Sequence, residues 1–261
     1  MTPDDAVTPD DADLGAVDPG DAVGLTAPET AAALKDVVGA FGFDWMTDAG
    51  LRARGRAELG LRGRAMYHLG RAGALGDVPV EVVIAAEAFF PPQVVREHWL
   101  EGRALAEPRV AALFYAEGCS AFARGRYGDV PARAVVLLER VVDGAEPLGL
   151  PLFAAWRALP RPDDAPGRLG LLLNVLREHR GSVHAAAVAA VGMHPLAAIV
   201  AGSYGEANAR FFEWPEPYPD AGAHRADWER AEELTCRAAA VPYGVLTSSE
   251  RAELVALLTS L

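Results

Sequence analysis

The sequence predicts a mainly α-helical protein that follows a disordered, acidic N-terminal tail. Apolar residues recur at helical spacing along most of the chain, and the alternation typical of strands is scarce. Residues 1–24 contain seven Asp and no Lys or Arg, a composition that does not offset the entropy lost on ordering. We expect a disordered tail over residues 1–26, an N-terminal helical module over 27–146 and a C-terminal helical module over 147–261.

Length and charge exclude several classes of protein. A chain of 261 residues with 51% hydrophobic residues can bury a sizeable core, and 24 Lys and Arg against 36 Asp and Glu give a net charge of -12. This charge makes DNA an unfavourable partner for the molecule as a whole. Cys119 and Cys236 form no metal or disulfide pattern, and no apolar run reaches the roughly 18 residues of a membrane span. We therefore expect a cytoplasmic protein with no membrane partner.

Helices are predicted wherever apolar residues keep a spacing of three to four, and glycine and proline are expected to separate them. Gly70, Gly73 and Gly76 are interpreted as turn residues, and residues 147–166 as a proline-rich connector. The last helix begins with a capping box, Thr247 to Glu250. The other predicted helices are Thr30–Gly39, Arg52–Tyr67, a helix after an Asp77 N-cap that ends near Phe90, Gln93–Leu105, Pro108–Ala123, Ala132–Val142, Leu169–Val191 and Asp227–Ala240.

The segment Asp77–Leu105 has the outline of a helix-turn-helix unit. A short apolar helix is interrupted at Pro91 and Pro92, and a second helix follows at once. Helical bundles contain similar hairpins, so the outline fits either a structural hairpin or a DNA reader that uses Arg96 and Arg103.

The apolar helix Leu169–Val191 carries the residues with the clearest chemical potential. On a helical wheel, Arg180 and His184 lie on its apolar face, Arg177 lies at the border, Glu178 lies opposite and His179 lies between. Charges on such a helix must be paired or must border a cavity, because an unpaired buried ion costs several kcal/mol.

Two interpretations of this helix remain open. In the functional one, Arg177 or Arg180 binds an anionic group of a ligand, His184 or His179 transfers a proton, and Glu178 orients a neighbouring side chain. In the structural one, the same groups form a buried network that fixes helix packing.

Further candidates for the ligand site are His98, Trp99 and Trp156. No metal is predicted, because Glu178, His179 and His184 do not reproduce the H-E-x-x-H spacing. The residues indicate no particular cofactor. Ser203 resembles a nucleophile elbow only superficially, because that motif requires an α/β sheet.

Several phrases resemble one family of actinobacterial proteins, described as helix-turn-helix or MarR-like. They are Leu176–Gly181 followed by His184, Leu152–Ala155, and the glycine-rich stretch Gly70–Gly76. The resemblance implies an all-helical body with winged-helix-like modules, DNA binding and a setting in specialised metabolism. After Phe212–Pro215 a short loop leads straight into the next helix, which leaves little room for a recognition helix and wing. We therefore expect the winged-helix-like modules to be degenerate.

The leading functional prediction is a protein that binds a small molecule, with acid-base chemistry as an extension, in a pocket bordered by the helix from Arg177 to His184. The alternative is a MarR-like regulator that reads DNA as a homodimer. A scaffold protein is a third interpretation.

Overall fold

The computed structural model describes residues 24–261. Of the predicted disordered tail, residues 1–26, residues 1–23 lie outside this part, whereas Leu25 and Thr26 make hydrogen bonds at the start of the first helix. The described part contains thirteen α-helices and no β-strand, which confirms the mainly α fold class. Because a wing is built from strands, the winged-helix-like detail is not confirmed.

The helices are joined by short loops and three 3-10 turns. They are α1 (Ala27–Met46), α2 (Ala49–Leu59), α3 (Gly63–Ala72), α4 (Val80–Ala86), α5 (Pro92–Arg103), α6 (Pro108–Arg126), α7 (Ala132–Asp143), α8 (Pro151–Arg157), α9 (Ala165–Ala190), α10 (Pro195–Ala201), α11 (Gly205–Phe211), α12 (Arg225–Ala240) and α13 (Ser248–Thr259).

Helix α9 is the centre of the core. It packs against α1, α6, α7, α8 and α12, so its middle turns have neighbours on most sides. Every residue from Leu169 to Leu176 is buried. Because each buried Leu or Val contributes roughly 1.5–3 kcal/mol, this run of side chains determines where the other helices pack.

Capping boxes begin the first and last helices, which lie side by side. Thr26 and Glu29 form the capping box of α1, which was not predicted, and Thr247 and Glu250 form the predicted capping box of α13. The Leu25 amide donates to the Ser248 carbonyl at 3.1 Å, which joins the start of one helix to the start of the other.

Two predicted helix boundaries are wrong because of glycine. The first helix does not weaken after Gly39 but continues to Met46, since Phe41 and Trp45 bury their rings in the core and outweigh the helix penalty of glycine. The predicted helix Arg52–Tyr67 is divided into α2 and α3 at Gly60, whose φ of 71° stops the first of them.

Two of the three predicted turn glycines, Gly73 and Gly76, lie at a turn, the 3-10 turn Gly73–Leu75 and its C-terminal cap. Gly76 has a φ of 84°. Gly70 lies inside α3, where an added Cβ would come within 2.6 Å of the Tyr115 ring. A Cβ added to Gly73 would come within 2.2 Å of the Pro108 carbonyl oxygen. These two glycines therefore permit close packing of α3, and of the 3-10 turn that follows it, on α6. The predicted connector at 147–166 also differs, because it contains α8.

The helix-turn-helix outline is confirmed as geometry. Helices α4 and α5 are joined by the five residues Glu87–Pro91. The predicted cap is wrong, because α4 begins after Pro79 with no side-chain cap and Asp77 pairs instead with Arg103.

No single helix within residues 24–261 has the length and hydropathy needed to cross a membrane. Helices α9 and α10 satisfy that test only when taken together, and they are bent by 108°.

Candidate functional site

The structure reverses the predicted order of burial along α9. The apolar face from Leu169 to Ala187 is buried as expected, but the most enclosed ionisable group is Glu178, which was placed on the opposite side. Arg180 and His184 are only partly buried. The reason is that α9 has no solvent-facing side at Glu178, where a partner from α3 meets it.

That partner is Arg71. Its Nε donates to Oε1 of Glu178 at 2.9 Å and its Nη2 donates to Oε2 at 2.8 Å, a two-point contact between a largely buried guanidinium and a fully buried carboxylate. Arg177 donates to the same Oε1 at 3.0 Å from a side chain that is 30% exposed. One carboxylate therefore lies between two guanidinium groups.

The charges in this contact are stabilised by each other. Burial is the largest influence on the pKa of Glu178 and raises it, but Arg71 and Arg177 together outweigh burial and hold this pKa below its usual value. Burial lowers the pKa of Arg71, and Glu178, together with Tyr67 and Glu87, more than reverses this. Glu178 is therefore ionised and already paired, which fits the structural interpretation of this residue better than a role in proton transfer.

A second buried pair continues from Arg71. Its Nη1 donates to Oε1 of Glu87 at 3.3 Å, and Oε2 of Glu87 contacts Nδ1 of His68. Both Glu87 and His68 are fully buried, and the His68 ring stacks on His98 with 5.8 Å between centroids. We call the five residues Arg71, Glu178, Arg177, Glu87 and His68 the core network.

Sequence reasoning missed three members of the core network. His68 and Glu87 belong to no motif in the sequence, and Arg71 stands only within the glycine-rich stretch Gly70–Gly76. Their partners lie 16 to 107 residues away along the chain, so no local spacing in the sequence predicts these contacts.

Polar atoms beside the core network have no hydrogen-bond partner among the described residues. They include the Tyr115 hydroxyl, the Trp45 ring nitrogen and both amide atoms of Asn174. The rings of Trp45 and Tyr115 lie 4.6 Å apart, and Asn174 lies one turn before Glu178 on α9. The interior is thus polar as well as dense at this level of the bundle.

One turn and a half further along α9, a second cluster joins α9 to α12 and α1. Glu232 accepts from Lys35 at 2.8 Å and also pairs with Arg180. His184 Nδ1 lies 2.9 Å from the Thr235 hydroxyl oxygen and 3.8 Å from a Glu232 carboxylate oxygen. We call these residues, Lys35, Arg180, His184, Glu232 and Thr235, the α9–α12 cluster.

The imidazole in this cluster is neutral near pH 7. Burial is the main influence on the pKa of His184 and lowers it, Glu232 opposes this shift, and Arg180 and Lys35 add to it. The net direction is downward from a usual value of 6.5.

His184 borders a pocket of about 210 Å³, which we call the His184 pocket. Phe89 stacks on the His184 ring with centroids 5.1 Å apart, and the wall continues with side chains from α10, α11 and α12. The complete lining is Phe89, His184, Ala198, Ile199, Gly202, Asn208, Phe212 and Trp228. Phe89 belongs to the turn between α4 and α5, so this turn forms part of the wall.

A larger pocket of about 380 Å³ lies between α2 and α6 and contains none of the predicted site residues. Its charged groups are already engaged. Asp48 accepts from the Leu51 amide, Arg54 pairs with Glu58, and Arg126 pairs with Asp44. We therefore regard the smaller His184 pocket as the better candidate, because a neutral titratable ring borders it.

The other predicted site residues are not brought together at either place. Trp99 and Trp156 are fully buried, and Trp156 donates from its ring nitrogen to the Arg71 carbonyl at 3.0 Å. His98 is partly exposed and contacts Glu101. His179 is buried edge-on against Phe153, and burial lowers its pKa to about 4, with Arg157 adding to the shift. His184 alone among the predicted residues borders the His184 pocket.

Within residues 24–261, no group of three or more His, Cys, Asp and Glu side chains is arranged to hold a metal ion. The free thiol of Cys119 is buried, and its pKa is raised by that burial.

The fold and these clusters define a mainly α protein that has a helix-turn-helix hairpin, a buried ionic core and one histidine beside a pocket. The profile of a helix-turn-helix family matches residues 27–225. The chain therefore belongs to that helix-turn-helix family. No curated protein and no solved structure matches it.

Proposed function

We propose that this protein binds a small molecule in the His184 pocket. The observation that carries the proposal is that His184, selected from the sequence as a proton-transfer residue, borders an aromatic pocket with a neutral ring. Pockets of this kind, apolar with a few convergent polar groups and a group of perturbed pKa, are the usual form of ligand sites.

The size of the pocket limits the ligand. Drug-sized ligands occupy pockets of roughly 300–1,000 Å³, whereas a cavity of about 150 Å³ can hold benzene. At about 210 Å³, the His184 pocket suits a ligand of one or two rings, or a ring that projects from a larger molecule.

The anion-binding role predicted for Arg177 and Arg180 does not enter this proposal. Both guanidinium groups already pair with carboxylates, Arg177 with Glu178 and Arg180 with Glu232. Anion binding by these two residues stays a prediction. So do acid-base catalysis, a cytoplasmic location and a setting in actinobacterial specialised metabolism.

Ligand-observed NMR on the full chain tests the proposal, with toluene, phenol, indene and indole as probes. We expect saturable binding of at least one probe, and its loss in Ala198→Leu, which fills the pocket from α10. The matched control is His179→Phe, a change in a buried histidine that does not line the pocket, and it should keep the binding. Absence of binding by all four probes, or equal binding by Ala198→Leu, would contradict the proposal.

A second candidate, a MarR-like DNA-binding regulator, is favoured by membership of a helix-turn-helix family. The local charge of the hairpin opposes it. Arg96 pairs with Glu81 and Arg103 pairs with Asp77, while Glu97 and Glu101 are exposed on α5.

Fluorescence anisotropy with duplex DNA tests this second candidate. A regulator that reads DNA with α5 should bind tightly at low salt, lose affinity steeply as salt rises, and weaken in Arg96→Ala/Arg103→Ala. The control is Arg52→Ala/Arg56→Ala, which removes two exposed cations from α2. Absence of binding at low salt would eliminate the regulator, and loss in the control variant alone would place the contact on α2.

A further inference from the structure

The hydrogen bonds of the α9–α12 cluster indicate which ring nitrogen of His184 carries a hydrogen atom. The Thr235 hydroxyl lies 2.7 Å from the Ala231 carbonyl oxygen and 2.9 Å from His184 Nδ1. A carbonyl oxygen can only accept, so the single hydroxyl hydrogen of Thr235 goes to Ala231. The contact with His184 must then be supplied by a hydrogen on Nδ1.

The neighbouring carboxylate favours the same arrangement. Glu232 Oε2 lies 3.8 Å from His184 Nδ1, and a negative charge on that side of the ring stabilises a hydrogen on the nearer nitrogen. Because the ring is neutral, a hydrogen on Nδ1 leaves Nε2 with its lone pair. Among the described residues, nothing donates a hydrogen bond to Nε2.

We infer that the His184 pocket selects uncharged aromatic molecules that donate a hydrogen bond, such as phenols and indoles, and that His184 Nε2 accepts that bond. The inference rests on the proposed function and specifies its ligand. Rings from Phe89, Phe212 and Trp228 supply flat apolar surface for an aromatic guest.

The surrounding charges exclude the two charged alternatives. A carboxylate or phosphate finds no free cation in the lining, since Arg180 and Lys35 are both paired with Glu232. A cation finds no carboxylate either, because the lining contains no Asp or Glu. Burying an unpaired ion is strongly unfavourable, so a neutral guest is favoured.

Paired probes of equal size test the inference in the full chain. Phenol and toluene differ by a hydroxyl in place of a methyl group, and indole and indene differ by NH in place of CH₂. We expect phenol and indole to bind about tenfold more tightly than toluene and indene, the usual effect of one buried hydrogen bond. In His184→Phe, which keeps the stacked ring but removes the acceptor, the preference should reverse toward toluene and indene, because an unpaired buried donor is unfavourable.

A direct measurement of the tautomer makes the test independent of that variant. In ¹⁵N NMR of the full chain at pH 7.5, His184 should show a protonated Nδ1 and an unprotonated Nε2, and addition of phenol should shift Nε2. Binding of toluene as tight as phenol, or a protonated Nε2, would overturn the ligand class while leaving the proposed function intact. Failure of all four probes to bind would instead remove the proposed function itself.

Discussion

The guanidinium of Arg71 and the carboxylate of Glu178 form a two-point ion pair in the interior of the bundle, with N to O distances of 2.9 and 2.8 Å. The pair joins α3 to the central helix α9. Removing two charges from water costs several kcal/mol per ion, which their mutual attraction and further hydrogen bonds must offset. Removal of one partner should therefore be destabilising, because it leaves the other charge buried and unpaired.

Arg71→Met should lower the free energy of unfolding by about 3–5 kcal/mol, because Glu87 and Glu178 then remain buried with fewer cations. Arg71→Met/Glu178→Met should cost clearly less than the sum of the two single changes. Urea denaturation at pH 7 measures all three variants.

The matched control for this cycle is the exposed pair Arg54 and Glu58, one turn apart on α2. Its double-mutant cycle should give about 0.2–1 kcal/mol. A coupling between Arg71 and Glu178 no larger than this would show that the core network contributes little to stability.

Burial of His179 makes the free energy of unfolding depend on pH in the acidic range. Its pKa is about 4 in the folded protein against a usual 6.5, so the unfolded chain binds the proton first as pH falls. The stability contributed by keeping this ring neutral is full above pH 6.5 and is lost as pH falls toward 4, a change of about 2–3 kcal/mol.

We expect His179→Phe to unfold with a shallower loss of stability than the wild type between pH 6.5 and 4. Chemical denaturation at several pH values checks this. His184 titrates in the same direction but is present in both proteins, so their difference isolates His179. Parallel stability curves for the two proteins would contradict the prediction.

The helices were largely predictable because their apolar spacing is local. The predicted boundaries were wrong where tertiary packing decides them, as after Gly39, where the buried rings of Phe41 and Trp45 continue α1 to Met46. His184 could be identified because it interrupts an apolar helix. Arg71 and His68 could not, since their partners come from other helices and only tertiary packing brings them together.

Two glycines in α9 should respond in opposite ways to the same substitution. In Gly170→Ala, the new Cβ would come within 2.4 Å of the Ala123 Cβ and 3.3 Å of the Cys119 carbonyl, so we expect a loss of about 1–3 kcal/mol. Gly181→Ala meets nothing within 4 Å and should gain roughly 0.5–1 kcal/mol from helix propensity. Thermal and urea unfolding of both variants measure this, and a stabilising Gly170→Ala would show that α6 and α9 are less closely packed.

A comparison of two fully buried tryptophans, Trp156 and Trp99, distinguishes the contribution of the ring to stability from that of its N–H group. The Trp156 ring nitrogen donates to the Arg71 carbonyl, whereas that of Trp99 has no partner among the described residues. Both Trp156→Phe and Trp99→Phe leave a cavity, but only the first removes a hydrogen bond, so it should cost about 1 kcal/mol more. Urea unfolding followed by far-UV circular dichroism compares the two without relying on tryptophan emission. An equal or larger loss in Trp99→Phe would mean that its N–H group has a partner in solution.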